Sequence, residues 1–534
     1  MPAPYIQTSL IDQSTRVTSA SGYNSAIVIA AKKGPINKPV KVTGQTDFLR
    51  KFTPNERIEI GWDLAYYEAY QYLSQQGGLY VVRAAHTQDL ENVEDDTIAL
   101  YGGCVLKSND SQNSNIAVTA GFNDPTTYEF QDDDVLLIYG ADPGAYNNDL
   151  SIEIITDQKE VKLEGAFIIK VYKNKQLVET KTVSLNPSLK NGYGVNCFVE
   201  TVLEGSLYIR ALSNALETES GYPIPKAQSE KLKLVGGSDG SAVTDADRIV
   251  ALKTLGNIND IDIQLVMDGG NTTATYQKAI DELCKSRDES CHGIISTVYE
   301  DEVTADPLSA IQKYRKETLN LNSYSMEMYT PHQQMYDEFN DRYIYISPGP
   351  YVCALTMKTA KELGWHWAVA GYNRGIIPSI DVAATFEPEI VDEFSDMQVN
   401  TIIKDPGSGN IIWDELTMQS FASDMQDAHI SKYLNIYLRP AIKQSLKPFL
   451  FEFNDEETRS IITRMLDTFM QPEKASRAVY DYRIVCDESN NLDDDIQNNR
   501  LNVWLYVKPI KIAKFIKQKI IVTPYSVNLE SIEI

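Results

Sequence analysis

The side chains whose types and spacing could do chemistry are few in this 534-residue chain: five histidines, two aspartate runs, one glycine-rich loop and a row of lysines. Metal sites place histidine or cysteine ligands a helical turn or a short loop apart. His86, His292, His332, His366 and His429 have no partner at such spacing, and His366 in "GWHWAVAG" reads as packing between two tryptophans. A calcium loop needs oxygens at alternate positions, a glycine turn and a distal glutamate. "QDDDV" (131–135) and "LDDDIQNN" (492–499) lack that pattern and read as solvated turns. "GGSDGS" (236–241) follows an apolar run, but it has neither the G-x-G spacing nor the adjacent lysine of a phosphate cradle, so a tight turn is expected. No G-x-S-x-G is present, and no Ser, His and Asp group together by spacing. The expectation is no catalytic residue, no cofactor and no metal.

The lysines pose the sharper question. "VKPIKIAKFIKQKI" (507–520) carries Lys508, Lys511, Lys514, Lys517 and Lys519 without one acidic residue, in a chain whose 49 basic and 74 acidic side chains leave a formal net charge of −25. Such a balance disfavours nucleic acid and anionic lipid as partners of the whole molecule, so any such binding must be local. The stretch reads as a strand, a turn at Pro509, one or two helical turns and a second strand. Ile512, Phe515 and Ile516 can then face into a domain while Lys511 and Lys514 face away. A basic sheet edge that blocks stray strand pairing accounts for the row without further function.

The length suggests about three or four domains. The 31 tyrosines against 15 phenylalanines suggest half-wet interfaces, since a phenol buries its ring and keeps a polar tip. Six scattered cysteines, with no C-x-x-C pair, read as reduced thiols of a protein made in a cytoplasm. "MPAPYIQTSLIDQSTRV" lacks the apolar core of a signal peptide, and no run of about 18 apolar residues is available to span a membrane.

Periodicity sets the organisation. "AIVIAA" (26–31) is a continuous apolar run, as expected of a strand buried on both faces. A Gly/Pro loop follows, then a helix with Ala65, Ala69, Tyr72 and Leu73 on one face, stopped by Gly77-Gly78, then the strand "LYVVRA" (79–84). This is a βαβ unit, which favours a parallel sheet. From 86 to 235, short alternating segments separated by "NDPTT", "ADPGAYNND" and "NGYG" predict a mostly β insertion. The α/β rhythm then resumes: strands at 261–268, "GIISTVY", "SYSMEMYTP" and "YIYISP", a helix bearing Tyr276, Ile280 and Leu283, and a helix opened by Asp306 and Pro307. From about 431 come two helical stretches, the second capped by Asn454 with Glu457 ahead of Ile461, Met465 and Phe469. The expected fold is a multidomain α/β protein. An N-terminal arm (1–21) leads to a discontinuous α/β core with a parallel or mixed sheet (22–85 and 236–430). A β-rich inserted outer domain (86–235), an inner α+β C-terminal domain (431–522) and a C-terminal arm (523–534) complete it.

Several phrases together resemble the contractile phage tail sheath proteins. "AIVIAAKKGPINKPVKVTGQTDFLRKF" with "GGLYVVRAA" is similar to the family's opening, and "GADPGAYNNDLSIEI" to its Gly- and Asn-bearing segment, with Asn148 at the asparagine. "GWHWAVAGYNRGII" resembles the W-x-x-AG-x-x-RG element, here Trp367, Ala370, Gly371, Arg374 and Gly375. "NIYLRPAIKQSLKPFLFEFNDEETRSIITRMLDTF" resembles the C-terminal helical pair, including Phe451, Glu452 and Asn454, and "VCDESNN" and "LNVWLYVKPIKIAKFI" the closing domain. The motifs stand in family order over nearly the whole chain, with 86–235 matching loosely. One departure is Asp414 in "IWDELT", where the family often has glycine.

The resemblance implies a structural protein that stacks as six-membered rings around a tail tube and shortens to drive that tube through a host envelope. It implies further copies of the chain, the tube protein, baseplate and tail terminator proteins as partners, and no nucleic acid or membrane insertion. The place it implies is the virion tail, after synthesis in the host cytoplasm. By the same resemblance the arms add strands to a neighbour's closing domain, the candidates being Tyr5, Ile6, Gln7, Thr8, Ser9 and Leu10, and Val527, Asn528, Leu529, Glu530, Ser531 and Ile532. The closing domain faces the tube in the family, which makes Lys443, Lys447, Lys511, Lys514 and Lys517 candidates for tube contact. Rival readings are a phage-tail-like injection or secretion machine, a nucleotide-binding α/β enzyme, since fold does not fix function, and an adhesin displaying the β insertion.

Overall fold

The computed structural model describes residues 22–87, 98–214, 217, 221–228, 230–518 and 520. Both arms, with their twelve candidate residues, lie outside the described residues. The apolar run after Asn24 forms β1 (Ser25–Ile29), buried along its whole length. Helix α1 (Ala65–Gln75) buries Ala65, Ala69, Tyr72 and Leu73 as the periodicity predicts. The chain then turns at Gly78, whose φ of 81° suits glycine. β2 (Leu79–Arg83) runs parallel to β1, Ile27 beside Val81.

On the other side of β1 the sheet continues in parallel through β3 (Leu265–Met267), β4 (His292–Ser296), β5 (Met326–Thr330) and β6 (Val399–Asp405). The full order of nine strands is Ile376–Ile377, Gly409–Ile412, β6, β5, β4, β3, β1, β2, Val40–Val42, with the antiparallel pairs at the two edges. Helix α2 (Ala274–Ser286) joins β3 to β4 and buries Tyr276, Ile280 and Leu283. Asp306 caps the helix Pro307–Lys313 by accepting from the Ser309 N–H. The strand expected in "YIYISP" does form, as Arg342–Ile346, but outside the main sheet. It pairs with Gln333–Asp337 in a separate three-stranded antiparallel sheet, because a short hairpin connects the two.

The insertion is two four-stranded antiparallel sheets. One orders Ile209–Ser213, Asp134–Gly140, Gly103–Lys107 and Ile116–Ala117, and the other Leu232–Lys233, Leu150–Ile155, Phe167–Lys173 and Gln176–Val183. Their inner faces share one core that includes Leu136, Ile138, Ile152, Ile154, Phe167 and Ile169.

Two compact units divide the chain, one ending at Gln444 and one starting at Ser445. The expected boundary at 431 therefore moves to within helix α3 (Arg439–Leu446). The reason is burial: Ile430, Lys432, Tyr433, Ile436 and Leu438 are enclosed in the larger unit. In the smaller unit, helix α4 (Glu456–Ala475) buries Ile462, Met465, Leu466 and Met470. It packs on a two-stranded antiparallel sheet of β7 (Val479–Val485) and β8 (Trp504–Pro509). Its cap is Asp455, which accepts from the Thr458 N–H, rather than Asn454. Asn454 instead donates to the Arg500 carbonyl and accepts from Arg459.

Candidate functional site

The chemistry-bearing residues are absorbed by packing. His366 lies 5.9 Å from both the Trp367 and Tyr433 rings, His292 and His332 face Glu327 and Glu302, and His86 faces Asp247. Among the described residues no group of three or more His, Cys, Asp or Glu could hold a metal ion. In "QDDDV", Asp133 accepts from Ser111 and Asn113, and buried Asp134 pairs with Lys107. In an open α/β sheet a nucleotide would sit beyond the strand ends near the switch point, here between β1 and β3. The nearby cavity of about 170 Å³ lies instead beyond the ends of β1 and β2, with no β3 residue in its wall, and is lined by residues including Ala30, Trp62, Asp63, Ala84 and Asp239. Asp63 already accepts from the Ala30 N–H, and Lys32 pairs with Asp239 at 3.4 Å, so the lining favours no phosphate. "GGSDGS" does not form the expected tight turn: Ser238 bridges Leu100 in an antiparallel pair, and a Cβ on Gly237 would come within 2.5 Å of the Gly144 carbonyl oxygen, so the glycine permits close backbone packing instead.

The family-like motifs instead build two junctions inside the larger unit. In the first, fully enclosed Arg83 donates through one nitrogen to the carbonyls of Gly34 and Pro143, at 2.7 Å each. Asn148 makes a reciprocal pair with Gly237, donating to its carbonyl at 2.8 Å and accepting from its N–H at 3.0 Å. The β insertion is thereby clamped to the α/β core at three backbone points, the carbonyls of Pro143 and Gly237 and the Gly237 N–H. Sequence reasoning had the Arg83 and Asn148 motifs but not this role, which needs the contact between segments far apart in the chain.

The second junction surrounds Lys432. Its ammonium pairs with Glu415 at 2.6 Å and Glu327 at 3.4 Å, all three groups buried. Glu415 also accepts from the Val369 and Ala370 N–H groups, so the "GWHWAVAGYNRGII" element is tied to the helix that leads to the smaller unit. Within that element Gly371 takes a φ of 96°, the Gly375 N–H donates to the Gly371 carbonyl, and Arg374 lies 5.0 Å from the Trp367 ring. Asp414, at the departure from the family pattern, accepts from Ser395 and from the N–H of Glu415. Burial alone would raise the Glu327 carboxyl, but the Lys432 charge and the bonds from His292 and Tyr329 hold it down to about 2.

Glu68 shows the opposite behaviour. Burial first, then the Asp268 charge, pushes its carboxyl well above the ordinary 4.5. The unfolded chain releases that proton near 4.5 while the folded chain keeps it. Stability from this group is therefore complete below 4.5 and is lost as pH rises through the raised folded value. Glu68→Gln keeps the shape of the protonated acid. Its denaturant midpoint is expected to match the parent at about pH 4 and to exceed it at about pH 8. Parallel pH profiles for the two proteins would refute this.

The tube-facing candidates divide between the units. Lys443 lies in the larger one and donates to Asp288 at 3.1 Å, with Arg439 bonded to Asp288 and Glu289 beside it, so it is paired within the chain. Lys447, Lys511, Lys514 and Lys517 are exposed on the smaller unit. Residues 510–518 form no helical turn; the chain beyond β8 is irregular. Ile512, Phe515 and Ile516 do not face into the domain but stand exposed, since the irregular chain there makes no helical turn to gather them on one face.

A mixed α/β core with a clamped β insertion and a small α+β unit carrying an open two-stranded sheet defines a class: the fold is that of tail sheath proteins. A sheath tail protein of Listeria innocua superposes with a TM-score of 0.57 over 92% of this chain and 96% of its own, at 12% identity. Residues 422–523 match the model of the phage tail sheath C-terminal domain. The tail sheath protein of Vibrio phage KVP40 is 27% identical over 372 residues, 65% of this chain and 54% of its own. That of Enterobacteria phage T4 is 25% identical over 388 residues, 69% of this chain and 58% of its own. The chain thus spans a little over half the length of these curated relatives. Over these spans it is similar to phage tail sheath proteins, in keeping with the resemblance of its motifs.

Proposed function

We propose that this chain is the structural subunit of a contractile phage tail sheath. It stacks as six-membered rings around a tail tube and contracts to drive the tube through the host envelope. The observation that carries this is the match of residues 422–523 to the sheath C-terminal domain, within a chain whose whole fold follows a sheath protein. Both curated relatives described above are phage proteins, which favours a virion tail over a free injection machine. The reading needs no catalytic group, cofactor or metal, because assembly and repacking supply the work. Its partners are further copies of the chain, the tube protein, the baseplate and the tail terminator, and its site of synthesis is the host cytoplasm. The exposed lysines Lys447, Lys511, Lys514 and Lys517 serve tube contact in this reading, where many weak exposed pairs of about 0–1 kcal/mol each sum over the polymer. The arm residues Tyr5–Leu10 and Val527–Ile532 add strands to the open edges of a neighbour's β7–β8 sheet by β-augmentation.

Electron microscopy of the concentrated protein tests the reading: hollow six-fold tubes are expected, and small discrete particles at every concentration would reject it. Deleting residues 1–15 is expected to leave a soluble, folded monomer. Tubes of normal length from the truncated chain would remove the arm model.

A further inference from the structure

Two exposed apolar surfaces on the smaller unit have opposite charged borders. The first is the corner before α4, where Leu450 is 66% exposed, Phe451 106% and Phe453 82%. Its shape is preset: the Leu450 N–H donates to the Lys447 carbonyl, the Glu452 N–H to the Phe449 carbonyl, and Arg459 holds Asn454 at the exit. Phe451 takes a φ of 72°, an uncommon backbone for a bulky side chain and one that calls for a functional reason. Exposed Glu452, Asp455, Glu456 and Glu457 border these rings.

The second surface is the segment after β8. Phe515 and Ile516 are each 89% exposed and Ile520 78%, with Ile512 at 39%. Their spacing of i, i+3, i+4 and i+8 is a helical stripe, and Lys511, Lys514 and Lys517 fall on the other side of that helix. A short amphipathic helix with nothing covering its stripe is marginal in water, which explains why residues 511–518 are irregular.

We propose that residues 511–520 of one copy dock, apolar stripe inward, on the 450–457 corner of a second copy. The proposal rests on the sheath reading and adds to it a side-chain contact separate from strand addition; it assigns Lys511, Lys514 and Lys517 to that contact rather than to the tube, and leaves Lys447 for the tube. Charge selects the occupant. Copies carrying a net −25 repel one another at long range, so contact between them requires local opposite charge. The lysine-bordered stripe and the carboxylate-bordered corner supply it. Donor and acceptor are different surfaces of the same chain, which makes the contact heterologous and able to propagate into rings or a helix. The donor takes up its helix on docking, in the manner of an amphipathic segment bound in an apolar groove.

The test places a photoreactive amino acid at position 515 of the full-length chain and mixes light and isotope-heavy copies before irradiation. Light–heavy products joining position 515 to residues 447–459 are expected. Products joining 515 elsewhere on the second copy, or only within one copy, overturn the proposal. In parallel, Phe515→Asp with Ile516→Asp should leave the monomer's melting curve unchanged, since both side chains are exposed. The concentration needed for polymer should rise by more than about tenfold. Glu452→Lys with Glu456→Lys should act alike, and Lys514→Glu with Lys517→Glu added to that pair should restore assembly. Wild-type tubes with an unchanged threshold in the 515/516 variant defeat this docking and leave the sheath reading intact. A wild-type chain that forms no polymer and no light–heavy product defeats both.

Discussion

Lys432→Met is expected to be among the most damaging single substitutions in the larger unit, lowering stability by about 3–5 kcal/mol. The lysine pairs with Glu415 at 2.6 Å and Glu327 at 3.4 Å, and all three side chains are buried. Methionine fills much of the volume but leaves two carboxylates enclosed without a cation. The loss is electrostatic, so Lys432→Met combined with Glu327→Gln and Glu415→Gln should recover most of the stability. The amide oxygen introduced by Glu415→Gln can still accept from the Val369 and Ala370 N–H groups that the carboxylate now holds. Thermal unfolding of the single and triple variants decides the matter: a single variant within about 1 kcal/mol of the parent sinks the argument. In the parent, the folded-state depression of Glu327 to about 2 supplies stability above the free carboxyl value of 4.5. That contribution is lost as pH falls from 4.5 towards 2.

The second large effect is expected at Arg83. Arg83→Met removes a buried cation whose one nitrogen serves the carbonyls of Gly34 and Pro143, and it withdraws the charge that opposes the burial-driven rise of Asp142. Each unsatisfied buried acceptor costs about 1–3 kcal/mol, so a loss of roughly 3 kcal/mol or more follows. The location of the damage is the sharper prediction. Amide exchange should accelerate at residues 141–149 and 236–240, where the insertion meets the core, while β3 to β6 keep their protection. Uniform loosening of the whole unit, or none at the junction, would contradict the clamp. Asn148 and Gly237 remain as a second attachment, so the insertion should loosen rather than detach.

Much of the core was legible in the residues because it depends on local pattern. The run at 26–31, the helical face of Ala65, Ala69, Tyr72 and Leu73, and the Asp306–Pro307 helix start all formed where the periodicity put them. Errors arose where two local signals competed. Asn454 and Asp455 are both good caps; Asp455 took the Thr458 N–H because Arg500 and Arg459 engage Asn454 from elsewhere in the unit. The helical spacing of residues 512–520 was genuine, but a stripe without a surface to cover it does not hold a helix.

The sequence by itself carried the order of the sheath-like motifs, the alternation that marks 86–235 as β-rich, and the scattered spacing of its histidines and cysteines. Those properties are set by residue type and short-range spacing. Tertiary structure alone decided that Lys432 belongs to the larger unit, that Lys443 is held by Asp288, that Arg83 and Asn148 join insertion to core, and that Phe451, Phe515 and Ile516 stand exposed. Each of these depends on which distant segments meet, and no spacing along the chain encodes the position of a partner tens or hundreds of residues away.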